Sequence, residues 1–305
     1  MSLIEKAVQR LEQLQSAQGV APADSTTIER IPEVVEVLAT APAKAAPQDE
    51  GGRSQLIGID LARLSTMGMV SPESPRSAVA EEYRVIKRPL LKNVSDGSNV
   101  AGANSNLIMV TSSLPGEGKS FTAINLAISI AMELDRTVLL VDADVSKPSV
   151  LKVLGLPPRR GLMDVLAEGN YDLSEVMLRT NIPKLSILPA GMPHERATEF
   201  LASESMNRLL AEISTRYADR VVIFDSPPLI PTTEARVLAT HMGQIVMVVE
   251  AGRTTNGALR QALSTIEACP IKLMVLNKAR DGGPGGYYGY GYGYGYGHEA
   301  QADAA

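Results

Sequence analysis

The chain has 305 residues, 45% of them apolar and 21% charged, with a formal net charge of −5. That length admits one large domain or two small ones, the composition is ordinary for a globular protein, and the acidic balance gives no electrostatic case for a nucleic-acid partner. A single cysteine, Cys269, excludes an internal disulfide framework and suits a reducing cytoplasm; it reads as a small apolar residue near a helix end.

No window of about 18 uncharged apolar residues occurs, so no membrane-spanning helix is expected. The opening MSLIEKAVQRLEQLQ carries Glu5 and Glu12 among its apolar residues and lacks the core of a signal peptide. Leu3, Ile4, Ala7, Val8, Leu11 and Leu14 recur at helical spacing, which predicts a short amphipathic helix over residues 1–15. Its charges roughly cancel, which favours a protein partner over an acidic lipid surface; an isolated helix that frays is an equal reading, because so short a helix is marginal in water.

Residues 16–77 shift to Ala, Pro, Glu, Ser and Thr and read as a linker, mostly disordered. LIGIDLARLSTMGMV inside it is apolar enough to dock, without indicating where. Residues 77–94, SAVAEEYRVIKRPLLKNV, predict a helix that stops near Pro89. Apolar β-rich runs then recur at residues 107–111, 137–141, 185–188, 221–224, 245–249 and 273–276. Helical stretches at 120–134, 205–217, 232–239 and 256–268 separate most of them. Buried strands alternating with helices predict an α/β domain over 78–280, a mostly parallel sheet sandwiched by helices. After a Gly-Gly-Pro-Gly-Gly break comes a flexible tail, residues 281–305, holding six of the nine tyrosines: Tyr287, Tyr288, Tyr290, Tyr292, Tyr294 and Tyr296.

LIMVTSSLPGEGKSFTAINLA sets a strand, a glycine-containing loop and a helix in the order a phosphate cradle needs. Gly116 and Gly118 lack a Cβ, so successive backbone N–H groups can turn inward around phosphate oxygens. Lys119 adds a point charge for the β- and γ-phosphates, and the Ser120 hydroxyl suits Mg2+. The helix beginning there aims its positive dipole end at the same place. The nucleotide-contacting set is Pro115, Gly116, Glu117, Gly118, Lys119, Ser120 and Phe121. Ser113 stands where the first glycine of G-x-x-x-x-G-K-S is usual. TVLLVDADVSKPS delivers Asp142 and Asp144 to a strand end, where ligands bind in open α/β sheets; their i, i+2 spacing sends both side chains the same way if the strand persists. RVVIFDSPP ends a third strand in Asp225, the pattern of a carboxylate holding Mg2+ through water.

With these motifs on the page, the chain resembles the bacterial tyrosine kinases, the P-loop autokinases that regulate exopolysaccharide export, and more narrowly the exosortase-associated tyrosine autokinases. SLPGEGKS looks like the family's Walker A, VLLVDADVSKP its second acidic motif, VVIFDSPP its Walker B, and the terminal tyrosines its autophosphorylation cluster. The resemblance covers residues 78–297, with a looser match at MSLIEKAVQRLEQL. It implies ATP as donor, Mg2+ as cofactor and tail hydroxyls as acceptors. Lys119, Asp142, Asp144 and Asp225 would be catalytic, Ser120, Asp142 and Asp225 around the metal, and Asn277 on the adenine. Asp142 is read as the base for the phenol and Asp144 as support for the metal shell or the nucleophile; the two roles are exchangeable at this level.

The family's assembly signature E-x-x-R-x-x-R is matched by Glu81, Arg84 and Lys87, lysine keeping the charge but not arginine's bidentate fork. A homo-oligomeric ring is implied, and a solvated charged helix face is the plainer alternative. Ser146 replaces the arginine usual two places after the second aspartate, with Lys147 beside it. The resemblance further implies a separate membrane chain-length or polysaccharide co-polymerase protein as activator, a tyrosine phosphatase, and a cytoplasmic chain recruited to the inner membrane through its partner. Two other readings stand beside it: an ATP-switched adaptor whose tail is only a contact surface, and a partitioning-type ATPase. The latter's signature lysine position is held by Leu114.

Overall fold

The computed structural model describes residues 54–96, 104–169, 172–216 and 220–279. The first half runs β1 (Gln55–Ile57), α1 (Leu61–Thr66), α2 (Ala78–Ser95), β2 (Leu107–Ser112), α3 (Lys119–Ala131), β3 (Thr137–Asp142), α4 (Val150–Val153), α5 (Leu162–Glu168) and α6 (Leu173–Val176). Then come β4 (Leu178–Thr180), β5 (Leu185–Leu188), α7 (Ala197–Leu201), α8 (Glu204–Arg216), β6 (Arg220–Asp225), α9 (Thr233–Ala239), β7 (Gln244–Glu250), α10 (Asn256–Ser264) and β8 (Ile271–Asn277).

The strands form one sheet in the order β1-β4-β5-β3-β6-β2-β7-β8. Every pairing is parallel except β4 with β5. The central strands are apolar at successive positions because both faces are covered. Leu107, Met109, Leu139, Val141, Val222 and Phe224 enter one core, under α5, α7, α8 and α9. Ile108, Val110, Val138, Leu140, Val221 and Ile223 enter the other, under α2 and α3. Helix α3 is buried nearly all round, from Thr122 to Ala131. This is the helix-sandwiched, mostly parallel sheet expected, and all six expected strands are present. β1 and β4 were not foreseen, since three residues are too few to display a period.

Two expectations need correction. Helix α2 does not stop at Pro89 but runs to Ser95. Proline removes the N–H that would bond the carbonyl four residues earlier. That carbonyl belongs to Val85, which is exposed like Pro89 itself, so water serves it, while Tyr83, Leu90 and Leu91 hold the opposite face in the core. Residues 54–77 are also not linker. β1 pairs with β4, Asp60 caps α1 by accepting from the Arg63 N–H at 2.9 Å, and the Val70 N–H donates to Asn125 of α3 at 2.6 Å. Ile57, Ile59, Leu64, Met69 and Val70 are buried with Ala80 and Leu90, each large side chain contributing about 1.5–3 kcal/mol against the ordering cost. A composition averaged over sixty residues hides so short an apolar stretch. The helix expected over 1–15, the linker up to residue 53, and the tail with its six tyrosines lie outside the described residues.

Within the assembly signature, Glu81 is exposed and pairs with the partly exposed Arg84, but Lys87 is not at the surface. It sits on the inner face of α2, with Nζ 2.6 Å from the Ser129 carbonyl and 2.7 Å from the Glu133 carboxylate. Lys87 is thus a tie between α2 and α3 rather than a group presented to a neighbour. Lys87→Ala would take the donor from the Ser129 carbonyl and leave Glu133 to the exposed Arg88 at 3.4 Å, so it is expected to lower stability by about 1–3 kcal/mol, measured by urea unfolding at a concentration where the chain is monomeric.

Candidate active site

The loop after β2 needs two left-handed residues, and glycine fills both: Gly116 has φ +87° and Gly118 φ +100°. Gly118 opens α3 without any side-chain cap, leaving the first amides of that helix to other acceptors. A Cβ on Gly118 would lie 2.0 Å from Asn277 Nδ2, because β8 closes over the loop. Asn277 Nδ2 donates to the Glu117 carbonyl at 2.9 Å, and Lys278 Nζ to the Gly116 carbonyl at 2.7 Å. The buried Glu117 carboxylate accepts from the Leu114 N–H at 2.8 Å and from the Thr254 hydroxyl. Glu117 therefore holds the loop's shape with its side chain and has only backbone to offer a ligand. Pro115 is exposed at the tip, Phe121 is half-buried against the core, and Ser113 is fully buried.

β3 and β6 run parallel with Asp142 opposite Asp225, so two carboxylates end adjacent strands. Asp142 Oδ2 accepts from the Ser149 and Val150 N–H groups, both at 3.0 Å, while its buried Oδ1 has no hydrogen-bond partner. Asp225 is completely buried, with Oδ2 3.2 Å from the Ser149 hydroxyl and Oδ1 without a hydrogen bond, 4.0 Å from Lys119 Nζ. Asp144 takes the lysine directly at 2.7 Å. The hydroxyls of Ser149 and Ser120 are 2.7 Å apart. Because β3 ends at Asp142, the two aspartates of its motif part company: Asp144 faces Lys119 and Asp142 faces the start of α4.

Burial, reinforced by the Asp225 charge, pushes the Asp142 carboxyl up to about 7, against the pull of its two N–H bonds. Burial likewise raises Asp225 to about 6, with Lys119 opposing. For Lys119 desolvation works against the charge, but Asp225 and Asp144 outweigh it and the ammonium ends above its ordinary value. The result is a fixed cation among three carboxylates, two of them easily neutralised.

The structure thus brings together Lys119, Ser120, Asp142, Asp144 and Asp225, and sets Gly116, Gly118 and Asn277 beside them. It adds residues not foreseen. Ser149 links Asp142, Ser120 and Asp225; as the serine preceding VLKV it carries a helix N-cap signal that marks it. Thr254 and Lys278 clamp the loop from distant parts of the chain, where no local pattern announces them.

Asp142 also sets a stability trend. Its folded-state value lies above the ordinary 3.8, so its contribution is fully present below about pH 4 and is lost as pH rises towards 7. Without nucleotide and in EDTA, Asp142→Asn is expected to raise the melting temperature at pH 8 and to change it much less at pH 4, as read by scanning calorimetry.

Comparison with known proteins places this geometry. A family profile described as an AAA domain matches residues 105–276. The chain is 31% identical to the tyrosine-protein kinase YwqD of Bacillus subtilis over 225 residues, 72% of this chain and 91% of that protein. It is 36% identical to the succinoglycan biosynthesis transport protein ExoP of Rhizobium meliloti over 213 residues, spanning only 26% of that longer relative. The kinase domain of the Escherichia coli tyrosine kinase ETK superposes with a TM-score of 0.61 at 25% identity, covering 74% of this chain and 84% of that one. A P-loop clamped by β8, paired carboxylates on β3 and β6, and relatives of this kind together mean that the chain belongs to the bacterial tyrosine kinases.

Proposed function

We propose that this chain is an ATP-dependent protein-tyrosine autokinase whose substrate is its own C-terminal tyrosine cluster. The observation that carries the reading is the buried Asp142 Oδ1, which lacks any hydrogen-bond partner and sits one strand from the Lys119–Asp225 contact. An acceptor oxygen with a carboxyl value near 7 suits a general base at neutral pH. Tyr83, the one tyrosine among the described residues, is buried in the core with its phenol pushed up to about 12, which makes it a poor acceptor.

The loop amides and Lys119 hold the β- and γ-phosphates; Lys119 exchanges Asp144 for phosphate oxygens as ATP enters. Oxygen donors are what Mg2+ prefers, and it needs one or two carboxylates plus phosphate oxygens rather than a full protein cage; Ser120 and the unpartnered Asp225 Oδ1 fit it. That ion, when bound, neutralises charge on the β- and γ-oxygens. Asp142 Oδ1 takes the phenol proton, the phenolic oxygen forms a bond to the γ-phosphorus, and the bond from that phosphorus to the β–γ bridging oxygen breaks. ADP leaves with that electron pair. Asp144 then steadies the metal shell or the nucleophile. Asn277, already at the loop, contacts the adenine.

Transfer runs in trans within a homo-oligomer, Glu81 and Arg84 supplying its exposed contacts. By the random-coil rule the ten residues from Gly282 to Tyr292 would reach roughly 16–19 Å, enough for a neighbour's site or its own. A role in regulating exopolysaccharide synthesis and export is supported by relatives such as the succinoglycan biosynthesis transport protein. A separate membrane co-polymerase partner would recruit and activate the chain, and a tyrosine phosphatase would reset it. Among the described residues no helix is long and apolar enough to cross a membrane.

Incubation with Mg-ATP followed by intact-mass measurement tests the activity. Successive phosphoryl additions, abolished by Lys119→Met, are expected; phosphate release without mass gain would identify a hydrolase, and neither outcome an adaptor. Each phosphotyrosine adds about −1.5 to −2 charges, so six add roughly −9 to −12 to a chain of formal charge −5. Fully phosphorylated protein is expected to sediment as smaller assemblies than an all-Tyr→Phe tail variant, the difference shrinking at high salt; identical sedimentation would disconnect phosphorylation from assembly.

A further inference from the structure

The two edges of the sheet differ in length: β1 has three residues and β8 has seven. Among the described residues β8 pairs only with β7, and its register there is unbroken from Ile271 to Asn277. A row of its backbone N–H and C=O groups therefore faces outward. Such an edge is a template for one more strand unless proline, a bulge or charge blunts it. β8 has no proline, and Lys272 is its only charged residue.

One face of this edge is also apolar and open. Met274 and Leu276 are 62% and 63% exposed. Their register partners on β7, Met247 and Val249, belong to the core with Leu259 and Leu263 of α10. The helical cover stops one strand short of the edge.

We propose that the segment Tyr288–Tyr296 of the same chain docks on β8 as an antiparallel ninth strand, with its phenol rings over Met274 and Leu276. Tyrosine and glycine alternate without exception from Tyr288 to Tyr296. That is the two-residue period of a strand with one aromatic face and one bare face. β8 alternates in the same way, with Lys272, Met274 and Leu276 exposed and the residues between them half-buried. Paired strands share their faces, so the rings fall beside a thioether and a leucine, both favourable cross-strand partners.

The chain's own tail is favoured over a second copy by its tether. β8 ends at Asn277, and Lys278 takes a left-handed φ of +56° that breaks the strand. Residues 278–287 then precede Tyr288 and include the turn-forming Gly-Gly-Pro-Gly-Gly. So short a connection gives an effective concentration on the order of millimolar, which a separate chain at micromolar concentration does not reach.

Interleaved glycines make a poor strand, so docking is reversible, and a slip of two residues restores the same pairing with another set of rings. The docking stands without the autokinase reading; its release by phosphorylation rests on that reading. Adjacent rings on one face stand about 7 Å apart, inside the roughly 8 Å Debye length of physiological salt. Each phosphoryl group would bring close to two negative charges onto this apolar edge and repel the next.

A disulfide trap in the full chain tests the docking. In a Cys269→Ala background, Met274→Cys is combined in turn with Tyr290→Cys, Gly291→Cys, Tyr292→Cys and Gly293→Cys, oxidised without nucleotide, and mapped by peptide mass spectrometry. Mixing with 15N-labelled chains separates bonds within one chain from bonds between two. Intrachain bonds are expected, about fivefold more from the tyrosine positions than from the glycine positions, because only one face of a strand points at Met274. Equal yields from both sets, bonds only between chains, or bonds joining two copies of β8 would each overturn the proposal. As a second arm without engineered thiols, hydrogen exchange over residues 271–277 is expected to be about tenfold slower in the native chain than in an all-Tyr→Ser tail variant; equal exchange overturns docking. After incubation with Mg-ATP, the phosphorylated fraction is expected to lose the trap, and undiminished trapping there would overturn release. A tyrosine-phased trap in a chain that never gains phosphate would keep the docking and remove the autokinase reading.

Discussion

Two carboxylates at the ends of neighbouring parallel strands, with one lysine between them and a third carboxylate, is the constraint around which this domain is arranged. The register that sets Asp142 opposite Asp225 crowds like charges in a place from which water is excluded. Such a pair is tolerable only if the protons or the counter-charges are rearranged. Both occur here. The Asp142 carboxyl is raised to about 7, Lys119 stays charged, and the turn into α4 supplies two N–H donors. The arrangement suits the proposed reaction, in which phosphates would draw Lys119 away from Asp144 and Asp225 would hold the divalent cation.

The second organising contact is between the loop after β2 and the end of β8. The chain enters the site at the loop after β2 and leaves the described domain at β8, and these meet through Asn277, Lys278 and Thr254. A ligand that shifts Gly116–Gly118 therefore bears directly on Asn277 and Lys278 at the end of β8. Lys87 shows the opposite economy. A residue expected at an assembly surface is buried to fasten α2 to α3, leaving Glu81 and Arg84 as the outward part of that helix.

Much of the fold was legible along the chain because buried parallel strands are apolar at every position and their helices are not. The strands at 107–112, 137–142 and 220–225 announced themselves in this way. What was missed had a local cause. β1 and β4 are three residues long and show no period. Pro89 argued for a helix end, but an exposed proline on a well-packed helix gives up one solvent-facing bond and nothing more. Residues 54–77 looked like linker because their one apolar stretch sits in a longer run rich in Ala, Pro, Glu, Ser and Thr, and only packing against α2 and α3 gives that stretch a place.

At the site, residue types and spacing picked out Lys119, Ser120, Asp142, Asp144 and Asp225, which the fold gathers in one place, since a strand–glycine loop–helix run and a strand-end aspartate are compact local patterns. Spacing could not divide the labour between Asp142 and Asp144, because which one meets the lysine depends on where β3 ends and how the next turn folds. Nor could it reveal that Glu117 points inward, that Ser149 joins three site residues, or that a cavity opens beside Asp142. Those features arise between segments far apart in sequence, through strand register and helix packing, and no local pattern encodes a contact whose partners are a hundred residues away.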